Sequence, residues 1–183
     1  MKKENNQKIT EKNVKVTKRT NYLSWDEYFM GIALLSAERS TDPNTQLGAC
    51  IVNQQNKIIG IGYNGFPVGC SDDELPWARE GGFLDTKYAY VCHAELNAIL
   101  NSRGVSLEDC KLYVGLFPCN ECAKLIIQSG IREVIYLSDK YANLDAYKAG
   151  KKLLSLAGVK TRQLAIPKKK IILSFEIPES ENK

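Results

Sequence analysis

The chain carries one histidine in 183 residues. It has no run of about 18 apolar residues and no apolar stretch of signal-peptide type near its start, which argues against membrane insertion and secretion. Its six cysteines follow no disulfide-framework spacing, so the reducing cytoplasm is the expected compartment. No internal repeat is visible, and 44% apolar composition over this length suits one well-buried domain. Beyond residues 1–21 there is no basic track interleaved with aromatics, so no polynucleotide partner is expected. The formal charge of +4 is modest, with much of it in the first twenty residues and around Lys168-Lys169-Lys170. It fits an anionic ligand without requiring one.

The pattern along the chain predicts alternating helices and strands. Residues 1–21, rich in Lys, Asn, Glu and Thr, read as a disordered basic arm, with a solvated tail as its plainest role. Ser24 and Glu27 have the spacing of a capping box, and Trp25, Tyr28, Phe29, Ile32, Ala33 and Leu35 form the apolar stripe of a helix ending near Ser40. Leu47 to Val52 and Lys57 to Tyr63 read as a hairpin across Asn53-Gln-Gln-Asn56. Asn64 to Tyr90 lacks periodicity, and so long a loop inside a compact domain is usually functional or disordered. A helix from Ala94 to Ser102, a strand from Lys111 to Leu116, a helix to about Ser129, a strand from Arg132 to Leu137, a helix from Ala142 to Leu156 and a strand from Val159 to Ile166 complete the series. That alternation implies parallel pairing in its second half. Ile171 to Phe175 is a candidate cover for a sheet edge, and residues 176–183 read as a flexible tail.

The chemistry concentrates between Val91 and Ala123. His93, Cys119 and Cys122 supply one imidazole and two thiolates, a donor set that suits Zn²⁺ and leaves the fourth tetrahedral position for water. Two thiolates cancel the charge of the dication, so the water needs a base. Glu95, two residues past His93, is placed to take its proton and pass it to a substrate. Cys119 opens a helix, where unpaired N–H groups and the positive dipole end favour thiolate over thiol. Two plainer readings compete: a closed structural zinc clasp with Cys92 as a fourth sulfur, and cysteines buried as ordinary apolar residues. The second describes Cys50 and Cys110 better than a Pro-Cys-x-x-Cys pair.

His-x-Glu followed by Pro-Cys-x-x-Cys is the signature of zinc nucleobase deaminases. With Arg39-Ser-Thr-Asp-Pro-Asn44, Gly62-Tyr-Asn-Gly65, Cys70-Ser-Asp-Asp73, His93-Ala-Glu-Leu-Asn-Ala-Ile99 and Ser138-Asp-Lys-Tyr141, the chain resembles the cytidine/deoxycytidylate deaminase family over residues 22 to 175. The resemblance implies an α/β fold, the cytidine-deaminase-like three-layer sandwich with a mixed five-stranded sheet between helices. It also implies hydrolysis of dCMP to dUMP and ammonia, which would supply dUMP for thymidylate synthesis. By the same resemblance Asn64 would meet the deoxyribose and the Ala94 N–H the pyrimidine carbonyl, with Asn44 on the substrate side as well. A left-handed turn residue before Gly65 is the plainer alternative for Asn64.

Phosphate calls for a cation, and Lys140 with Tyr141, or Arg39, are the candidates. Gly65, Asp72 and Asp73 lie in the stretch that the resemblance associates with dCTP and Mg²⁺ as activator, with dTTP opposing it, in a homohexamer. Glycines there permit close backbone approach, and the carboxylates suit a hard cation. A glycine-rich turn with a solvated acidic pair is the plainer alternative. Two other functions compete: a deaminase of bases in RNA or DNA, and a non-catalytic zinc-stabilised interaction domain, for which Glu95 would have no use.

Overall fold

The computed structural model describes residues 17–166 and 170–176. Residues 1–16 of the expected arm and 177–183 of the expected tail lie outside the described residues; 17–21 are exposed and in no helix or strand. The elements are α1 (Trp25–Ala37), β1 (Gly48–Val52), β2 (Ile58–Tyr63), α2 (Ala94–Asn101), β3 (Lys111–Leu116), α3 (Asn120–Gln128), β4 (Glu133–Ser138), α4 (Asp145–Leu156) and β5 (Lys160–Gln163). Two short 3₁₀ turns, Phe83–Asp85 and Lys87–Ala89, interrupt the long loop. Among the described residues no helix is long and apolar enough to cross a membrane.

The strands form one mixed five-stranded sheet in the order β2-β1-β3-β4-β5. β1 is antiparallel to β2 and to β3, while β3, β4 and β5 run parallel. Period-two alternation splits the strand side chains between two cores. Ala49, Ile51, Leu112, Val114 and Val134 face α2, α3 and α4, and Cys50, Val52, Tyr113 and Ile135 face α1. Both faces are therefore covered, as a largely parallel sheet requires.

The capping box of α1 forms as the spacing predicts: the Ser24 hydroxyl accepts from Glu27 N–H, and the Glu27 carboxylate accepts from Ser24 N–H at 2.8 Å. The buried stripe differs from the expected one. Phe29, Met30, Ala33 and Ala37 are buried, whereas Trp25 and Leu35 are 58% and 49% exposed. The helix is apolar nearly all round, so periodicity alone did not fix its inner face. Ile171 and Leu173 lie along the outer side of α1 with Leu34 and Leu35, and not over a sheet edge.

Two close approaches set the site. A Cβ on Gly62 would come within 2.2 Å of the Ala98 nitrogen and 2.4 Å of the Ala94 oxygen, so α2 can rest on the backbone of β2 only because position 62 has no side chain. On Gly150, a Cβ would come 2.7 Å from the Pro118 oxygen; glycine there lets α4 press against the turn that leads into α3.

Candidate active site

The N-termini of α2 and α3 converge over the carboxyl end of β3. His93 is the N-cap of α2 and Cys119 the N-cap of α3, both in extended conformation. Cys122 sits in the first turn of α3, and its sulfur lies 3.3 Å from His93 Nδ1, with the Cys119 sulfur at 3.5 Å. Among the described residues these three form the group that could hold a metal ion, with ligand atoms within 4.8 Å of one another. The spacing fits zinc: tetrahedral bonds of about 2.0 Å to nitrogen and 2.3 Å to sulfur place N and S roughly 3.5 Å apart. Cys92 is half-buried outside the group, which leaves the closed clasp without its fourth sulfur.

The proton distribution of this trio suits metal capture. Cys119 is lowered to about 4, mainly by its hydrogen bond with Cys122 and then by His93, against burial. His93 is raised to about 9, first by its bond with Cys119. Cys122 is raised, again by the bond with Cys119 and then by burial. One thiolate is thus ready, and the protons on the other two donors must leave when a cation enters. Glu95, on the first turn of α2, is 5% exposed. Burial raises its carboxyl above the ordinary carboxylate range, against the opposing pull of His93.

Above this floor opens a cleft of about 510 Å³ lined by His93, Glu95, Cys119 and Cys122, within the range of small-molecule sites. Part of its wall comes from the long loop, through Arg79, Lys87 and Tyr88. Gly65 and Cys92 exchange two backbone hydrogen bonds, of 3.1 and 2.8 Å, tying the end of β2 to the residue before His93. In the same lining, Lys87 and Asp42 form a buried ion pair, their side chains 7% and 1% exposed. Burial would raise Asp42, but Lys87 and the Asn44 and Thr45 N–H groups bring its carboxyl below the usual value. At the mouth, Arg79 Nε donates to the Tyr88 hydroxyl at 3.2 Å, and Arg79 and Tyr141 both line the cleft.

Of the expected substrate-side residues, Asn64, Ala94 and Tyr141 line the cleft. The Asn64 amide is already committed: its N–H groups go to Asp42 at 3.1 Å and Thr45 O at 2.9 Å, and its oxygen accepts from Leu47 N–H at 2.8 Å. Arg39, Asn44 and Lys140 do not line it. The Asn44 amide donates to Trp77 O at 3.1 Å, and Lys140 Nζ lies 4.9 Å from the Tyr141 ring. The cations that do face the cleft, Arg79 and Lys87, come from the stretch without periodicity, where spacing offered no signal. Asp72 and Asp73 are exposed and away from the cleft; Asp72 O accepts from the Trp77 indole at 3.0 Å.

A family model described as the cytidine and deoxycytidylate deaminase zinc-binding region matches residues 23–138. Deoxycytidylate deaminases of Homo sapiens and Pongo abelii are each 60% identical over 165 residues, covering 89% of this chain and 92% of theirs. The Mus musculus protein of that name is 59% identical over 160 residues, covering 87% and 90%. Among solved structures, the apo dCMP deaminase of cyanophage S-TIM5 superposes with a TM-score of 0.59 at 26% identity, over 76% of this chain and 96% of that one. With its zinc-binding region matched and a donor set spaced for Zn²⁺, the chain belongs to the cytidine and deoxycytidylate deaminase family.

Proposed function

We propose that this protein hydrolyses dCMP to dUMP and ammonia. The observation that carries the reading is the arrangement of His93, Cys119 and Cys122 beside a buried Glu95, in a cleft that the cations Arg79 and Lys87 also line. The names of the mammalian relatives support the same substrate. Zn²⁺, held by those three residues, supplies the Lewis acidity that makes water a nucleophile at neutral pH.

The remaining work belongs to the chain. Glu95 takes one proton from the attacking water and delivers it to N3 as the C4–O bond forms, then takes the proton of the new C4 hydroxyl and passes it to the amine as the C4–N bond breaks and C4=O forms. The proton count closes with one water consumed and one ammonia released. Ala94, buried at the start of α2, offers its N–H to the pyrimidine carbonyl, in a helix terminus whose dipole favours developing negative charge. Arg79 replaces Arg39 and Lys140 as the phosphate partner, because a guanidinium at the cleft mouth presents paired donors to phosphoryl oxygens. Tyr88 and Tyr141 flank it.

In this reading the enzyme works in the cytoplasm as a homohexamer, activated by dCTP with Mg²⁺ and opposed by dTTP. The effector side would fall to Gly65, Asp72 and Asp73 on the loop whose other end carries Lys87. An effector can shift such an equilibrium only by its differential affinity for the two states. Incubating the zinc-loaded protein with dCMP, with a deoxycytidine-containing oligonucleotide and with neither, then quantifying uracil-containing product, tests the substrate. Product from dCMP alone is expected. Product from the oligonucleotide alone would assign the protein to the polynucleotide-acting class, and product from neither would leave a zinc-stabilised binding domain.

A further inference from the structure

Lys87 is 5% exposed, a burial that lysines accept almost only when paired. Its backbone is fixed on three sides: Lys87 N–H donates to Ala78 O at 3.0 Å, and Lys87 O accepts from Tyr90 N–H at 3.0 Å and Val91 N–H at 2.9 Å. Its side chain reaches Asp42. Asp42 has no acceptor capacity to spare, because Oδ1 takes the Asn44 and Thr45 N–H groups at 2.9 and 3.2 Å and Oδ2 takes Asn64 and Lys87. Asn64 has both its N–H groups engaged as well.

The ammonium of Lys87 is different. It has three N–H groups, and among the described residues Asp42 is its hydrogen-bond partner. Lys87 lines the same cleft as His93 and Glu95, so donors in this wall remain for a ligand. The zinc trio and the start of α2 occupy the side where the pyrimidine reacts. The rest of the lining, Lys87 included, is then left to meet the sugar–phosphate part.

We propose that Lys87, held in place by Asp42, determines specificity by donating to an acceptor oxygen of the sugar–phosphate part of the substrate, either the 3′-hydroxyl or a phosphoryl oxygen. This rests on the nucleotide-deaminase reading above. Asp42 and Asn64 are then positioning residues that fix the ammonium and do not touch substrate. A substrate lacking the oxygen leaves a buried cation without a partner, which is the condition for strong discrimination.

The test is kcat/KM for dCMP, deoxycytidine and 2′,3′-dideoxycytidine monophosphate, measured on zinc-loaded wild type, Lys87→Met and Lys87→Gln. Gln still donates to Asp42, so it carries the comparison if the Met variant fails to fold. The expected loss on dCMP is roughly 10- to 100-fold, the range for one hydrogen bond to a charged group, shrinking to about threefold or less on the analogue that lacks the contacted oxygen. A loss that vanishes with deoxycytidine assigns the contact to phosphate, and one that vanishes with the dideoxynucleotide assigns it to the 3′-hydroxyl. Equal losses on all three substrates would overturn the proposal, because a lysine that only braces the loop affects every substrate alike. Wild type that leaves dCMP untouched would count against the proposed activity itself, a separate outcome.

Discussion

The floor and the wall of the cleft are built by different means. On the floor, His93 and Glu95 begin α2 and Cys119 and Cys122 begin α3, so backbone geometry and two helix dipoles place all four groups. On the wall, Asp42, Asn64 and Lys87 come from segments up to 45 positions apart and are placed by side-chain hydrogen bonds. A floor of this kind tolerates no change in chemistry and serves any substrate that reaches it. The wall can change what is accepted while leaving the reaction intact.

Breaking the floor should give the largest effect. Cys119→Ala removes a donor that is already thiolate, and both bound zinc and turnover are expected to vanish for every substrate. Atomic absorption showing a wild-type zinc content in that variant would refute the ligand role. Cys92→Ser, one residue from the floor but outside the donor group, should leave metal content and activity unchanged.

Breaking the wall acts first on stability. Asp42→Ala leaves the Lys87 ammonium buried and unpaired, which typically costs about 3–5 kcal/mol; denaturant melts of the zinc-loaded protein measure it. A change below about 1 kcal/mol, the scale of an exposed ion pair, would contradict the burial argument. Arg79→Ala at the rim should weaken dCMP turnover while altering deoxycytidine turnover little. Equal loss on both would remove Arg79 from the phosphate.

The smallest effects concern protons, and they sharpen the same contrast. His93 is raised to about 9 and Cys122 is raised as well, so zinc must displace their protons. Apparent zinc affinity should rise from pH 6 to pH 9, readable by chelator competition, and a flat profile would argue against this donor set. Glu95 is raised by burial. Its base form is therefore lost as pH falls through a value above the free carboxylate value of about 4.3, and kcat/KM should decline on that acid limb. A limb at or below the free value would leave Glu95 without its buried environment.

The floor was legible in the sequence for the reason that makes it rigid. The Ser24 capping box, the apolar run of β3 and the Pro118-Cys119 entry to α3 are local patterns, and the structure places each within a few residues of its reading. The exceptions are also physical. α4 begins at Asp145, three residues after Ala142, because residues 140–143 form a turn in which Ala142 N–H donates to Asp139 O and Leu144 N–H to Tyr141 O. The wall was not legible. Lys87 follows Asp85-Thr86 in a stretch with neither helical nor strand period, and nothing in its neighbours points to Asp42. Arg39 and Lys140 stand out by their position at the ends of elements, whereas Arg79 reaches the cleft from the middle of the loop.

In the proposed mechanism a buried carboxyl works beside a zinc that it does not bind. Glu95→Gln, with zinc content and dCMP turnover measured on the same preparation, tests this most directly. The amide can hydrogen-bond in the same place but cannot carry protons, so full zinc occupancy with a loss of about 10² to 10⁴ in kcat is predicted. Wild-type turnover in the zinc-replete variant would contradict it.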